Sequence, residues 1–283
     1  MIKRLKNRLN AIAYQLYLFF HSEKLVDPTS PSLVVSLTSY RARFNVVYWT
    51  IKSLMVQTLK PRHIILYLDK DVTLDSLPNR LLRLKKYGLE IKCICEDIKP
   101  HNKYFYAMQE FPDCAIITLD DDVMYETKTI ENLYMSYKKH PDCVSAKRVS
   151  KMTKSENGKI NSYNLWIGEC VTLLKPSHSL FATGVGGVLY PPSSFSTKWF
   201  NVQEIKNNCL NADDVWLKYL EIVHGRKVVF VPGKMVHPYS CRVESGLQNS
   251  NVGLSQNDTY IRNMEGYFGL DLACYVDDAN ECN

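Results

Sequence analysis

From residue 32 to residue 139 the chain alternates short apolar runs with stretches of helical period, and this alternation constrains the fold more than any other feature. The apolar runs are 32–37, 63–68, 89–95 and 115–119, each of strand length. Between them, Asn45 can cap a helix that carries Val47, Ile51, Leu54 and Met55 on one face and stops before Lys60-Pro61. Segments 77–86 (halted by Gly88), 104–110 and 130–139 read as further helices. Strands and helices in turn imply right-handed crossovers, hence a mostly parallel central sheet with helices on both faces. A single α/β, Rossmann-like domain is expected.

The second half is less regular. A polar, Gly-containing stretch at 151–162 reads as a mobile loop, 211–223 as a helix, 227–231 as a strand and 240–258 as a Ser/Asn/Gln-rich loop. Without repeats or a clear internal boundary, the expected division is a basic amphipathic segment (1–26), one main domain (32–240) and a C-terminal extension (241–283) packed on or near the active site.

A hydrophobic share of 46% with 23% charged residues suits a chain with a sizeable core. The net charge of +6 is not gathered into the dense basic patch of a nucleic-acid binder, so no nucleic-acid partner is expected. Four of the basic residues, Lys3, Arg4, Lys6 and Arg8, stand in the first eight. The apolar stretch 11–20 that follows is about half the ~20 residues needed to span a bilayer. As a helix it puts Leu5, Leu9, Ile12, Leu16 and Phe19 or Phe20 on one face. That pattern suits a helix lying on an anionic membrane surface, and equally a helix packed on the core. The first reading places the protein in the cytoplasm, peripheral at the inner face of the membrane. Nine scattered cysteines read as reduced and intracellular. Cys93 and Cys95 share a strand phase with Leu89 and Ile91 and are expected in the core.

The chemistry is expected at Asp120-Asp121-Asp122, directly after the fourth apolar run. If the backbone stays extended, Asp120 and Asp122 project to one side and Asp121 to the other. Ligands of open α/β sheets bind at the carboxyl ends of strands, and a hard divalent cation shared by carboxylates and substrate phosphates explains such a cluster. A solvated acidic turn capping the next helix is the plainer alternative.

The run Ile117-Thr118-Leu119-Asp120-Asp121-Asp122-Val123 resembles the D-x-D motif of GT-A glycosyltransferases. The resemblance extends to Ser36-Leu37-Thr38-Ser39-Tyr40 with Arg43, and to 53–61, which looks like the S-L-x-x-Q-T-x-x-P helix end of bacterial family 2 relatives in surface polysaccharide synthesis. It covers roughly 32–239 and implies a GT-A fold, a nucleotide-sugar donor (a UDP-sugar), a glycan or lipid-linked acceptor, and Mn or Mg on the donor diphosphate. On that similarity Asp120 and Asp122 hold the metal with a late histidine, His237, while Asp120 and Asp121 face the donor. Thr38, Tyr40 and Arg43 would line base and ribose, offering a hydroxyl, a stacking ring and a guanidinium. Asp69 would accept from base or ribose and Lys103 would meet the diphosphate; a turn aspartate and a solvated lysine are the alternatives. Gly186 and Gly187 would let the sugar approach the backbone.

Asn211-Ala212-Asp213-Asp214 looks like the x-E-D motif that supplies the base in inverting enzymes, with Asp213 at the glutamate position. By position Asp214 is the expected base, with Asp213 beside it. Acidic residues capped by Asn211 in a helix's first turn would also be favoured by the dipole alone. A sugar-nucleotide pyrophosphorylase and a noncatalytic, membrane-tethered carbohydrate-binding protein are the competing readings. The stretch 38–43 has no glycine, which argues against the first.

Overall fold

The computed structural model describes residues 2–21, 23–233, 235–236 and 256–276. Helix α1 (Ile2–Phe20) precedes β1 (Leu33–Thr38), α2 (Phe44–Leu54), β2 (His63–Asp69), the short α3 (Asn79–Leu82), β3 (Leu89–Ile94), α4 (Asn102–Glu110) and β4 (Ala115–Thr118). A two-residue β5 (Met124–Tyr125) and α5 (Thr129–Lys139) follow, then β6 (Val144–Ala146), β7 (Val149–Lys151), β8 (Leu180–Ala182) and β9 (Val188–Tyr190). The chain continues through α6 (Val202–Asn208), α7 (Asp213–Val223), β10 (Val228–Phe230), β11 (Met235–Val236) and α8 (Gln256–Phe268).

Seven strands form one sheet in the order β10-β6-β9-β4-β1-β2-β3. β1 pairs in parallel with β2 and β4, β2 with β3, and β6 with β10; β9 runs antiparallel to both its neighbours. The apolar runs of β1, β2 and β4 are continuous rather than alternating because both faces of these strands are covered. Val35, Leu66 and Ile117 join Val47 and Ile51 of α2 in one core, whereas Val34, Ile65 and Ile116 join Ala107 of α4 on the opposite face. A third cluster fills the far side of the sheet around Trp216, Tyr219 and Tyr190. Each such side chain stabilises the fold by ~1.5–3 kcal/mol relative to exposure.

Several expectations change in detail. Helix α2 begins at Phe44, with Arg43 at its N-cap position and no side-chain cap bond, so Asn45 does not cap it. The segment 77–86 forms only one α-turn, α3, before tightening into a 3-10 turn. Cys93 and Cys95 are exposed: β3 is an edge strand, and the phase they share leaves the core as the strand proceeds. The stretch 151–162 folds back through a Lys154–Ile160 bridge and a turn at 155–158 instead of standing open. The expected loop 240–258 lies almost wholly outside the described residues, and the extension contains α8, where Tyr267 and Phe268 stack on Trp216 and Tyr219 of α7. No described helix is long and apolar enough to cross a membrane.

Helix α1 lies on the domain. Ala11 and Leu18 are buried against Met124 of β5, and the Tyr14 hydroxyl donates to the carbonyl of Tyr125 at 2.9 Å. The apolar residues read as one face, Leu9, Ile12, Leu16, Phe19 and Phe20, are exposed on the side away from that contact. Docking therefore uses a second, narrower face that the sequence pattern does not advertise.

Candidate active site

The two acidic motifs, more than ninety residues apart in sequence, meet at one lysine. Lys103, in the first turn of α4, is buried, with its ammonium 2.7 Å from Asp120 Oδ1 and 2.9 Å from Asp213 Oδ2. Burial opposes the charge, but the carboxylates of Asp120, Asp213 and Asp214 outweigh it and hold the ammonium well above the usual lysine range. Its charge is engaged inside this cluster by Asp120 and Asp213, so it is not the solvated lysine of the alternative reading, and it reaches the expected diphosphate site only beside Asp120. The hydroxyl of Ser36 on β1 donates to the Lys103 carbonyl and fixes the helix end to the sheet.

Asp213 and Asp214 open α7, yet neither is there as a cap. Ala212 holds the N-cap position without a side-chain bond, so the Asn211 cap of the alternative reading does not form. Asp213 is buried against Lys103, while Asp214 stays partly accessible and accepts from the Gly184 amide at 3.0 Å. Burial, then the neighbouring Asp213 carboxylate, push the Asp214 carboxyl well above its ordinary range; Asp120 adds to this and Lys103 opposes it. Under α7, His101 receives the Tyr104 hydroxyl on Nδ1 and faces the Cys209 carbonyl with Nε2. That pairing fixes the tautomer with the proton on Nε2, and burial lowers its pKa to about 4, so the ring is neutral near pH 7.

The acidic triplet sits in a turn after β4, and the turn breaks the expected strand phase. Asp121 and Asp122 both face Arg43, at 2.6 and 3.1 Å from Nη1, while Asp120 faces Lys103. Asp121 is buried, takes a second bond from Ser39 at 2.6 Å, and its pKa rises to about 6, because burial outweighs the guanidinium. It therefore anchors the end of β1 to the triplet and is not open to a donor. Asp120 and Asp122 keep accessible side chains, 29% and 23% exposed. Two accessible hard-oxygen donors fit a cation that completes its shell with phosphate oxygens and water. Among the described residues no group of three or more His, Cys, Asp or Glu is gathered for a metal. His237 lies outside the described residues; Val236, the residue before it, pairs with Met124, two positions after Asp122.

Among the expected nucleotide contacts, Thr38 gives its hydroxyl to the Tyr67 carbonyl at 3.1 Å, whereas Tyr40 is exposed with its ring 5.5 Å from the Arg43 guanidinium. Asp69 lines a cleft of about 600 Å³ at the carboxyl ends of β2 and β3, with Asp71, Glu96, Asp97, Lys99 and Lys206. The glycines behave differently from expectation. A Cβ on Gly186 would lie 2.9 Å from the Arg148 amide nitrogen, and one on Gly187, whose φ is +92°, would lie 2.8 Å from Leu119. Their lack of side chain is used up in packing. Gly184 is the glycine that opens onto the acids: a Cβ there would lie 2.7 Å from Lys103 Nζ, 3.2 Å from Asp120 Oδ1 and 3.3 Å from Asp214 Oδ1.

Sequence reasoning takes Gly184 only as one of the glycine cluster 183–187, and gives no role of their own to Ser39 or to Tyr125, whose hydroxyl receives the Asp120 amide at 2.9 Å. A small residue wedged between two acidic motifs is a signal only once the motifs are known to meet.

No family model matches the chain, and no curated protein matches it either. By structure it is similar to a mannosyltransferase of Pyrobaculum calidifontis solved with GDP-Man and Mn2+, at a TM-score of 0.54 and 9% identity over 94% of this chain and 73% of that one. A UTP-bound UGPase of Acinetobacter baumannii (TM-score 0.44, 11% identity, 85% of this chain and 100% of that one) is more distant. So is S. aureus TarS with UDP (TM-score 0.45, 12% identity, 72% of this chain and 58% of that one). At such identities the likeness is one of fold: with its seven-stranded, mostly parallel sheet covered by helices on both faces, the chain has the GT-A type α/β fold.

Proposed function

We propose that the chain is an inverting glycosyltransferase that moves a sugar from a nucleotide-sugar, a UDP-sugar, to a hydroxyl of a glycan or lipid-linked acceptor. The observation that carries this reading is the Lys103 bridge, which brings the acids at the end of β4 together with those at the start of α7. One set lies where a donor diphosphate binds and the other where an acceptor hydroxyl can be deprotonated.

Asp214 is the general base. It is the partly accessible member of its pair, it is oriented by the Gly184 amide, and its raised pKa matches a proton acceptor better than an ordinary surface carboxylate would. It takes the acceptor's proton as that oxygen attacks the anomeric carbon, and the nucleoside diphosphate departs from the opposite face. Asp213 holds Lys103, and Lys103 in turn holds Asp120, so the pair of acids is positioned from behind. Asp120 and Asp122 would hold a Mn or Mg ion, with His237 as a further ligand. When bound, such an ion offsets the charge that builds on the leaving diphosphate. Tyr40 offers its exposed ring to the base, and Asp69 in the neighbouring cleft offers an acceptor to base or ribose.

A panel of nucleotide sugars, assayed for release of nucleoside diphosphate, tests the proposal. Release should require Mn or Mg, stop with excess chelator and resume when metal is restored. Full turnover in excess chelator overturns the metal assignment. Pyrophosphate release from UTP and a sugar 1-phosphate would make the chain a pyrophosphorylase, against which the glycine-free turn at 39–43 already argues.

A further inference from the structure

The outward face of α1 is apolar, flanked by cations, and uncovered by any described part of the chain. Leu9, Leu16, Phe19 and Phe20 are 57% to 78% exposed, and Ile12 is 42% exposed. At about 100° per residue these five side chains fall in an arc of roughly 100°. Lys6 and Arg8, both exposed, lie just outside its two edges, while the docked residues Ala11 and Leu18 lie opposite. A soluble surface rarely gathers so many large apolar side chains on one stripe. The rest of the helix holds this stripe open: because the opposite face is fixed on Met124 and Tyr125, α1 cannot roll to bury it.

We propose that this face is a docking element for an anionic lipid bilayer, with the apolar arc in the acyl boundary and Lys6 and Arg8 at the headgroups. The charge pattern selects this occupant. Cations on both flanks of an apolar arc match an interface that is apolar in depth and negative at its surface, and Lys3 and Arg4 add to the same end of the helix in sequence. A protein partner or a second copy would need its own acidic rim to meet them. Because α1 rests on β5 through its other face, the strand that follows Asp120-Asp121-Asp122 would then be held about one helix diameter, ~10 Å, from the bilayer. This inference does not depend on the proposed chemistry.

Flotation of the full chain with vesicles of phosphatidylcholine, or of phosphatidylcholine with three-tenths phosphatidylglycerol, tests it without any nucleotide sugar present. Wild type should float with the anionic vesicles and not the neutral ones, less so at high salt. Leu16→Glu with Phe20→Glu should reduce binding at least tenfold. Lys6→Gln should reduce it about fivefold, the factor for one cation worth ~1 kcal/mol at an anionic surface. All altered side chains are exposed, so the melting temperature should be unchanged, which separates lost docking from lost folding. Equal flotation of the double variant overturns the proposal, as does salt-independent binding to neutral vesicles. So does a dimer in solution that Leu16→Glu with Phe20→Glu dissociates, because the face is then covered by a second copy. None of these outcomes bears on diphosphate release, so failure here leaves the donor reading standing.

Discussion

Asp214→Asn separates a catalytic base from a helix-capping residue, because the two roles predict opposite changes in stability. The substitution keeps an oxygen for the Gly184 amide and removes a charge that burial, Asp213 and Asp120 all disfavour. If Asp214 only served the dipole of α7, losing its charge would cost about 0.3–1 kcal/mol, or a fall of roughly 1–4 °C in Tm for a chain of this size. The structure predicts a rise instead. The pH dependence carries the sign. A carboxyl whose folded pKa is raised weakens the fold as pH climbs from the unfolded value, near 4, up to the folded one. Wild type and variant should therefore melt together in acid, and the variant should gain on wild type as pH rises. Its kcat should fall about a hundred- to ten-thousand-fold, roughly 3–5 kcal/mol of barrier, with donor affinity little changed. Thermal melts from pH 4 to 9 and steady-state diphosphate release read both effects. A variant that melts lower at neutral pH, or keeps more than about a tenth of kcat, refutes the assignment.

Lys103→Met leaves Asp120 and Asp213 facing each other without their shared cation; breaking such a buried pair costs about 3–5 kcal/mol, measurable by urea denaturation, and a loss below 1 kcal/mol would show the bridge to be dispensable. Gly184→Ala puts a Cβ 2.7 Å from the Lys103 ammonium and should cost about 1–3 kcal/mol along with most of the activity, whereas Ala at the exposed Gly158 position, with nothing within 4 Å, should leave activity intact. In both cases diphosphate release is compared with the unfolding midpoint of the same preparation.

The parallel half of the sheet was legible because its strands are four to seven residues long, three of them (β1, β2 and β4) are apolar on both faces, and helices with a clear period separate them. The antiparallel strand β9 and its neighbour β6 are three residues each, too short for either period to register, whereas the equally short β10 is legible within the apolar run 227–231. Within the site, residue types and strand ends pointed to the acids. What the sequence could not supply was their pairing. Arg43 reads as a nucleotide contact until the turn after β4 folds Asp121 and Asp122 onto it, and Lys103 reads as a diphosphate contact or a solvated lysine until α7 closes over it. Such pairings depend on where a turn leaves the strand direction, and no local pattern encodes that. The N-terminal stripe was visible as a hydrophobic face, but which face would dock was decided by the smaller Ala11 and Leu18 surface.

The seam between α1 and β5 also means that the first twenty residues are not a detachable handle. Cutting the chain at His21 would uncover Met124, fully buried now, and would remove the hydroxyl that meets the Tyr125 carbonyl. Tyr125 is the residue whose own hydroxyl receives the Asp120 amide, so the first order to be lost would be that of the acidic turn itself. A shortened chain, however well it expressed, would report on a loosened site rather than on an unanchored one.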